Sequence, residues 1–278
     1  MSDAITLIKS PTTERLPIIR FKKRIAKHFG EASSTYDAKA RLQRRIAART
    51  TMLIPPEKRP LTIVDLGSGT GQHTKELARI YPEALVTGID IAQGMVNYAR
   101  ITHSSEANNR WLVGDIEQLP FRNQSVDVVF SSLAIQWCNL QRILHEVKRV
   151  LKKNGCFVFS SLAKGTLQEL QTAWRLVDEG CHTNSFLSFA EQKCVLHRSR
   201  LKHHSFLSQV EQQFYPDLYS LLKELKALGV NTVSSPVTGL MTRKKLNALE
   251  IAYEALRQHK GLPLSYQVVY GHFEQTQL

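Results

Sequence analysis

Asp65, Gly67, Gly69, Gly71, Asp90 and Asp115 stand in an order suited to holding a cationic, nucleoside-bearing ligand. The stretch Asp65-Leu-Gly67-Ser68-Gly69-Thr-Gly71 follows an apolar run and precedes a helical pattern. Glycines at such a turn let the backbone approach a ligand with no Cβ in the way. The spacing is GxGxG. The dinucleotide pattern GxGxxG needs glycine at position 72, which is Gln72, and no Gly-Lys-Ser/Thr follows to cradle phosphates. A carboxylate at Asp65, two residues before the first glycine, disfavours a phosphate at the helix N-terminus beyond it.

S-adenosylmethionine has no phosphate and carries both an ammonium and a sulfonium. It is the cofactor these residues favour over NAD, FAD and ATP. Asp65 is expected to face its methionine end, with Gly67, Ser68, Gly69 and Gly71 shaping the turn. Asp90 comes 19 residues after Gly71. Followed by Ile91, it is placed to accept from both ribose hydroxyls, as the acid about 20 residues on does in dinucleotide folds. Hydrogen bonds to a charged acceptor contribute roughly 1.5–3 kcal/mol each. Asp115 and Ile116 are expected to bracket adenine, through its amino group and its face. Ser131 to Gln136 are expected to line the methyl-transfer site. No metal is expected.

The elements that must position these residues alternate. "LTIVDLG", "ALVTGID", "RWLVGD", "VDVVFSS" and "CFVFSSL" read as five strands, with helices over 72–81, 92–101 and 139–151 between them. Alternation of this kind implies a parallel sheet covered on both faces. Gly155 in "KKNG" reads as a helix stop. Upstream, "KKRIAKHFG" and "YDAKARLQRRIAARTTML" read as two helices. After the fifth strand the rhythm fails. Residues 166–180 read as a helix, then a loop "CHTNSF", two further helices from "YPDLYSLLKELKALGV" and "TRKKLNALEIAYEALRQH", and a last strand "SYQVVYGHFEQ". The organisation is therefore a flexible tail over 1–20, an N-terminal helical cover over 21–60 and a binding core over 61–163. A lid or substrate insertion over 164–200 and a C-terminal part over 201–278 complete it.

The 278 residues suit one α/β domain with an insertion, and 42% of them are apolar. No apolar run approaches the roughly 18 residues of a membrane span. The start lacks the order of a signal peptide, so a cytoplasmic protein is expected. Cys138, Cys156, Cys181 and Cys194 have no paired spacing and read as free thiols. The net charge of +13 is uneven: residues 1–60 carry +9, residues 61–130 carry −3 and residues 131–278 carry +7. Basic flanks around a slightly acidic core fit an acidic partner.

The constellation resembles the class I methyltransferases. That resemblance implies an α/β, Rossmann-like fold with a mostly parallel seven-stranded sheet and helices on both faces. It also implies a helical lid inserted after strand five. Adenine amino-methylation usually goes with an Asn/Asp-Pro-Pro-aromatic motif, which is absent. Cytosine C5 methylation needs a cysteine, usually after Pro or Thr, whereas the cysteines here follow Trp137, Gly155, Gly180 and Lys193. No aromatic-rich RNA-binding module is visible, and no nucleic-acid substrate is expected.

Within that class, "KKRIAKHFGEASSTYDAKARLQRRIA", "GDIEQLPF", "SSLAIQWCNLQRILHEVKRVLKKNG" and "FSSLAKGTLQELQTAWRLVDEGCHTNSF" resemble the malonyl-[acyl-carrier protein] O-methyltransferases of biotin synthesis. The match resumes in "LKELKALGVN", "GLMTRKKL" and "YQVVYGH". The resemblance implies methyl transfer to the free carboxylate of a malonyl thioester on a carrier protein or on CoA. Such a carboxylate is ionised at neutral pH, so no general base is needed. The protein's task is alignment, which can be worth about 7–11 kcal/mol. Tyr36, Gln136, Trp137, His182 and Asn184 are the candidate positioning residues for catalysis. A bidentate arginine would suit the carboxylate, and Arg44, Arg198, Arg200 and Arg243 are candidates. An acidic, malonyl-loaded acyl-carrier protein is expected to dock on the basic N-terminal segment or on Arg243-Lys244-Lys245, with a monomeric enzyme and no membrane partner. Two rival readings are a methyltransferase of another small acid or a quinone, and an inactive fold serving as a partner subunit.

Overall fold

The computed structural model describes residues 11–104, 108–229 and 242–276. Apolar runs become the first five strands: β1 (Thr62–Leu66), β2 (Leu85–Asp90), β3 (Asn109–Val113), β4 (Val126–Ser132) and β5 (Leu151–Leu162). These five pair in parallel. β6 (Lys202–Tyr215) and β7 (Leu262–Glu274) extend the sheet antiparallel, in the order β3-β2-β1-β4-β5-β7-β6. Ile63, Val64, Val128, Val129 and Phe130 are fully buried, as central parallel strands with both faces covered require. The strand order reverses at β1, which lies between β2 and β4. Ligands of open α/β sheets bind at the carboxyl ends beside such a reversal.

The crossover helices are α3 (Gln72–Ile80), α4 (Gln93–Thr102) and α5 (Leu140–Val150). Helix α5 shows why they form. Ile143, Leu144, Val147 and Val150 make one buried stripe, and Asn139 caps the first turn by accepting from the Arg142 amide at 3.1 Å. It ends at Val150, five residues before Gly155. Gly155 is therefore not its stop but part of β5. Asn154 takes the left-handed conformation (φ 63°) there, and a Cβ on Gly155 would lie 2.9 Å from the Lys152 carbonyl oxygen.

The amino-terminal part differs from its sequence reading. A single helix α1 runs over Pro11–Lys39, and α2 over Arg41–Thr51. The weak helix-forming stretch 31–35 does not break α1. Tertiary contact overrides propensity here: Gly30 rests on Gly94 of α4, where a Cβ on Gly94 would come within 2.7 Å of the Gly30 carbonyl oxygen. The expected tail over 1–20 falls partly outside the described residues.

The second half holds two elements absent from the sequence reading. Helix α7 (Phe189–Arg198) begins with a capping box, Ser188 and Glu191, a signal present in the sequence as S-x-x-E. β6 carries polar residues on both faces, so it lacks the alternation that marks a strand. Its position at the sheet edge explains the pattern. Helices α6 (Gln168–Arg175), α8 (Leu218–Ala227) and α9 (Arg243–Glu254) complete the chain. Leu170 and Trp174 of α6 pack in one cluster with Leu42, Ile46, Leu221 and Tyr253. Leu196 of α7 joins the cluster of α5. The stretch 230–241, part of the quoted resemblance, lies outside the described residues.

Candidate active site

The carboxyl ends of β1, β2, β3 and β4 converge on one cleft, roofed by α1. Gly67, Gly69, Asp90, Ile91, Asp115, Ile116, Leu133, Ala134, Trp137 and Cys138 form its floor and walls. Lys22, Ile25, Phe29 and Tyr36 of α1 close it. The turn after β1 hangs on β2: the amides of Gly67 and Ser68 both donate to the Ile89 carbonyl, at 2.8 and 3.1 Å. Gly67, Gly69 and Gly71 all have positive φ, yet they serve different ends. A Cβ on Gly67 would lie 2.2 Å from the Ala134 Cβ, and one on Gly71 would lie 2.6 Å from the Trp111 indole nitrogen. One on Gly69 would meet nothing within 4 Å. Gly67 and Gly71 are thus fixed by internal packing, and Gly69 borders open cleft.

Asp90 anchors the turn from the other side. Its Oδ2 accepts from the Gly69 amide at 2.9 Å and its Oδ1 from the Ala92 amide at 2.8 Å. Burial raises its pKa, partly offset by those amides. Asp115 caps its own turn by accepting from the Glu117 amide at 3.0 Å, and receives the Lys22 ammonium at 2.7 Å. Lys22 also reaches Glu117 at 3.0 Å. Burial works against the lysine's charge, but its two acidic partners outweigh that and leave its pKa raised. Helix α1 is tied down again where the Thr70 hydroxyl donates to Asp37 at 2.7 Å, and where Phe29 meets Trp137 edge-on at 5.8 Å. Burial, then the charges of Asp37 and Asp90, raise the Tyr36 pKa and keep its hydroxyl protonated.

Other expected site residues lie off the cleft. Asp65 sits behind the turn, accepting from the Thr74 hydroxyl at 2.7 Å, and burial pushes its pKa up to about 7. Ser68 points toward Gly88, and Ser131 donates to the Leu66 carbonyl at 2.9 Å. Gln136 lines a neighbouring groove, and its amide donates to the Leu133 carbonyl at 2.6 Å. That bond braces a strained turn, since Leu133 has φ 53°, which costs a residue with a Cβ about 1–2 kcal/mol. His182 and Asn184 border a separate depression beside α6. There His182 stacks on Trp174 at 3.6 Å and meets Asp178 at 2.6 Å. Asp178 also receives Lys245, at 2.6 Å. That lysine, then His182, holds its carboxyl well below the usual range. None of Arg44, Arg198, Arg200 and Arg243 lines the cleft. Lys22, Phe29 and Cys138 do, and the sequence reading gives none of them a role in the cleft; Lys22 and Phe29 lie in the quoted stretch "KKRIAKHFG", which reads as a helix of the basic N-terminal segment.

A family model described as a methyltransferase domain matches residues 64–159. A biotin biosynthesis bifunctional protein BioHC of Cellvibrio japonicus is 40% identical over 90% of this chain, which spans 49% of that protein. A malonyl-[acyl-carrier protein] O-methyltransferase of Pectobacterium atrosepticum is 38% identical over 90% of this chain and 95% of its own length. This chain belongs to the malonyl-[acyl-carrier protein] O-methyltransferase family. It spans about half the length of the bifunctional members and nearly all of the single-function ones. Among solved structures, the YcgJ protein of Bacillus subtilis matches with a TM-score of 0.59 at 18% identity, over 83% of this chain and 100% of that one. The geranyl diphosphate C-methyltransferase of Streptomyces coelicolor matches with a TM-score of 0.53 at 16% identity, over 84% and 80%. These two likenesses show the class I methyltransferase fold.

S-adenosylmethionine is the cofactor of this fold and domain, and the cleft fits it. Its wall carboxylates, Asp90 and Asp115, outnumber its one lysine, which is already paired. The space that a Cβ would fill at Gly69 is open. Among the described residues no group of three metal-binding side chains occurs, and no helix is long and apolar enough to cross a membrane.

Proposed function

We infer that this chain methylates the free carboxylate of a malonyl thioester. The reading rests on the make-up of the cleft, whose two carboxylates are already engaged, Asp90 by the Gly69 and Ala92 amides and Asp115 by the Lys22 ammonium. Among the described residues that line it there is no histidine. Burial pushes the Cys138 thiol up to about 12 and raises Tyr36, so both stay protonated at neutral pH. Such a site suits an acceptor oxygen that already bears charge. Phenols, amines and alcohols would first have to lose a proton.

S-adenosylmethionine, when bound, supplies an electrophilic methyl group on a cationic sulfur. Asp90 would hold its ribose, Asp115 and Ile116 its adenine, and Gly69 would border it. Asp65 would act from behind the turn through the field of its charge. Trp137 and Leu133 would wall the methyl-transfer space, and the Tyr36 hydroxyl would donate toward the acceptor or cofactor. Helix α1 would exclude water, which strengthens every electrostatic contact inside. Gln136 would position this wall by bracing the Leu133 turn. His182 and Asn184 would order the α6–α7 connection rather than touch the methyl. Methylation removes a charge that apolar elongation pockets would reject.

The test is parallel incubation with labelled S-adenosylmethionine and malonyl-carrier protein, malonyl-CoA or tRNA. Label is expected in a base-labile ester on both malonyl thioesters. Label in tRNA, or in neither thioester, would overturn the reading.

A further inference from the structure

We propose that an acidic carrier domain docks on the face formed by α5 and α7, and that its thioester arm reaches the cleft along the groove beneath α7. The inference rests on the malonyl-thioester reading above.

Continuity is the first observation. The cleft and the neighbouring groove share Cys138. That groove passes Leu140, Ser161, Leu162, Phe186 and Gln192, an amphipathic lining suited to an arm that alternates amide and alkyl groups. It in turn shares Gln141 and Val195 with a depression between α5 and α7. Helix α5 spans this route, rising about 12 Å from Leu140 to Lys148 at roughly 1.5 Å per residue. The cleft, the groove and the outer depression therefore lie in series, each sharing wall residues with the next.

Charge is the second. The depression is bordered by His145, Lys148, Arg198 and Arg200, with no carboxylate among its lining residues. Arg198 and Arg200 are exposed, and among the described residues neither side chain has a hydrogen-bond or ion-pair partner. His197 stands beside Arg198 in the last turn of α7.

The other basic surfaces are partly engaged internally. On α2, Arg45 pairs with Glu211 at 2.7 Å, and Arg49 bonds Gln209 and lies 4.7 Å over the Tyr270 ring. On α9, Lys245 is held by Asp178; Arg243 and Lys244 are exposed, but no residue of that helix lines the cleft. The groove between α1, α8 and α9 carries Lys223 and Lys226 but also Glu31 and Glu250, and it shares no lining residue with the cleft. An acidic partner there would meet like charge and lack a route inward.

The test compares two malonyl thioesters: a malonyl-carrier protein and the uncharged-arm mimic malonyl-N-acetylcysteamine. In the double variant Arg198→Glu with Arg200→Glu, kcat/KM for the carrier substrate is expected to fall at least about tenfold, mostly through KM. The small thioester should change less than about twofold. Wild-type carrier kinetics should weaken with added salt, and the variant's should not. An unchanged thermal shift with S-adenosylhomocysteine confirms that the variant folds. A companion pair, Arg243→Glu with Lys244→Glu on α9, should leave the carrier rate intact. Unchanged carrier kinetics in the α7 variant, equal losses on both thioesters, or a loss confined to the α9 variant would each overturn the docking face. A wild-type enzyme that methylates neither thioester takes down the acceptor reading and this proposal together. That pattern is distinct from the other three.

Discussion

Gly69 and Gly67 look alike in the sequence and differ in what a methyl group would meet. At Gly69 an added Cβ enters open cleft; at Gly67 it collides with Ala134. Gly69→Ala should therefore fold, at the left-handed cost of about 1–2 kcal/mol, yet lose most of its thermal shift with S-adenosylhomocysteine. Gly67→Ala should lower the melting temperature of the ligand-free protein more. Equal melting temperatures would contradict this division. Asp65 gives a pH prediction. Its folded pKa is about 7, raised mainly by burial, against an ordinary 3.8. Between those values the folded chain holds a proton that the unfolded chain releases, so its contribution to stability falls as pH rises through that window and is at its worst above it. Asp65→Asn keeps an acceptor for Thr74 and removes the buried charge. Its melting temperature should exceed wild type's more at pH 8 than at pH 5, by about 2–4 °C per kcal/mol relieved, while S-adenosylmethionine binding weakens. A gain equal at both pH values would refute the assignment.

Helix α1 is an element whose position, not composition, matters. It is fixed over the cofactor turn by Lys22 on Asp115 and Glu117, by Asp37 on Thr70, and by the close passage of Gly30 over Gly94. Gly94 is a poor helix residue at the start of α4, and the crossing explains it. On propensity alone Gly94→Ala should stabilise α4 by about 0.8–1 kcal/mol. The added Cβ instead pushes α1 outward. We expect the Michaelis constant for S-adenosylmethionine to rise several-fold and trypsin to cut faster at the Lys22-Lys23-Arg24 run, with core stability little changed. Unaltered donor affinity and proteolysis would show that α1 does not govern access.

At the scale of the whole molecule, the parallel half of the sheet sets the cofactor site, and the antiparallel pair β6–β7 extends it to support α7 and the basic mouth. The uneven charge, acidic core and basic flanks, acquires direction only in three dimensions. Part of the basic excess is consumed internally, as at Arg45, Arg49 and Lys245, and part faces outward beside the route to the cleft.

The first five strands, their crossover helices, the glycine turn and the acids at strand ends were legible in the sequence. Buried parallel strands must be apolar almost throughout, and a turn at positive φ marks itself with glycine. The cofactor followed from which charges stand beside that turn. β6 was not legible, because an edge strand wetted on both faces has no hydrophobic period. Nor was the unbroken course of α1, which depends on a glycine pair 64 residues apart. The roles of Lys22 and Phe29, and the placement of Gln136, His182 and Asn184 away from the cleft, were decided only by tertiary structure. Side-chain type and spacing report what a residue can do, and which neighbour it does it with depends on contacts between segments that the linear order does not bring together.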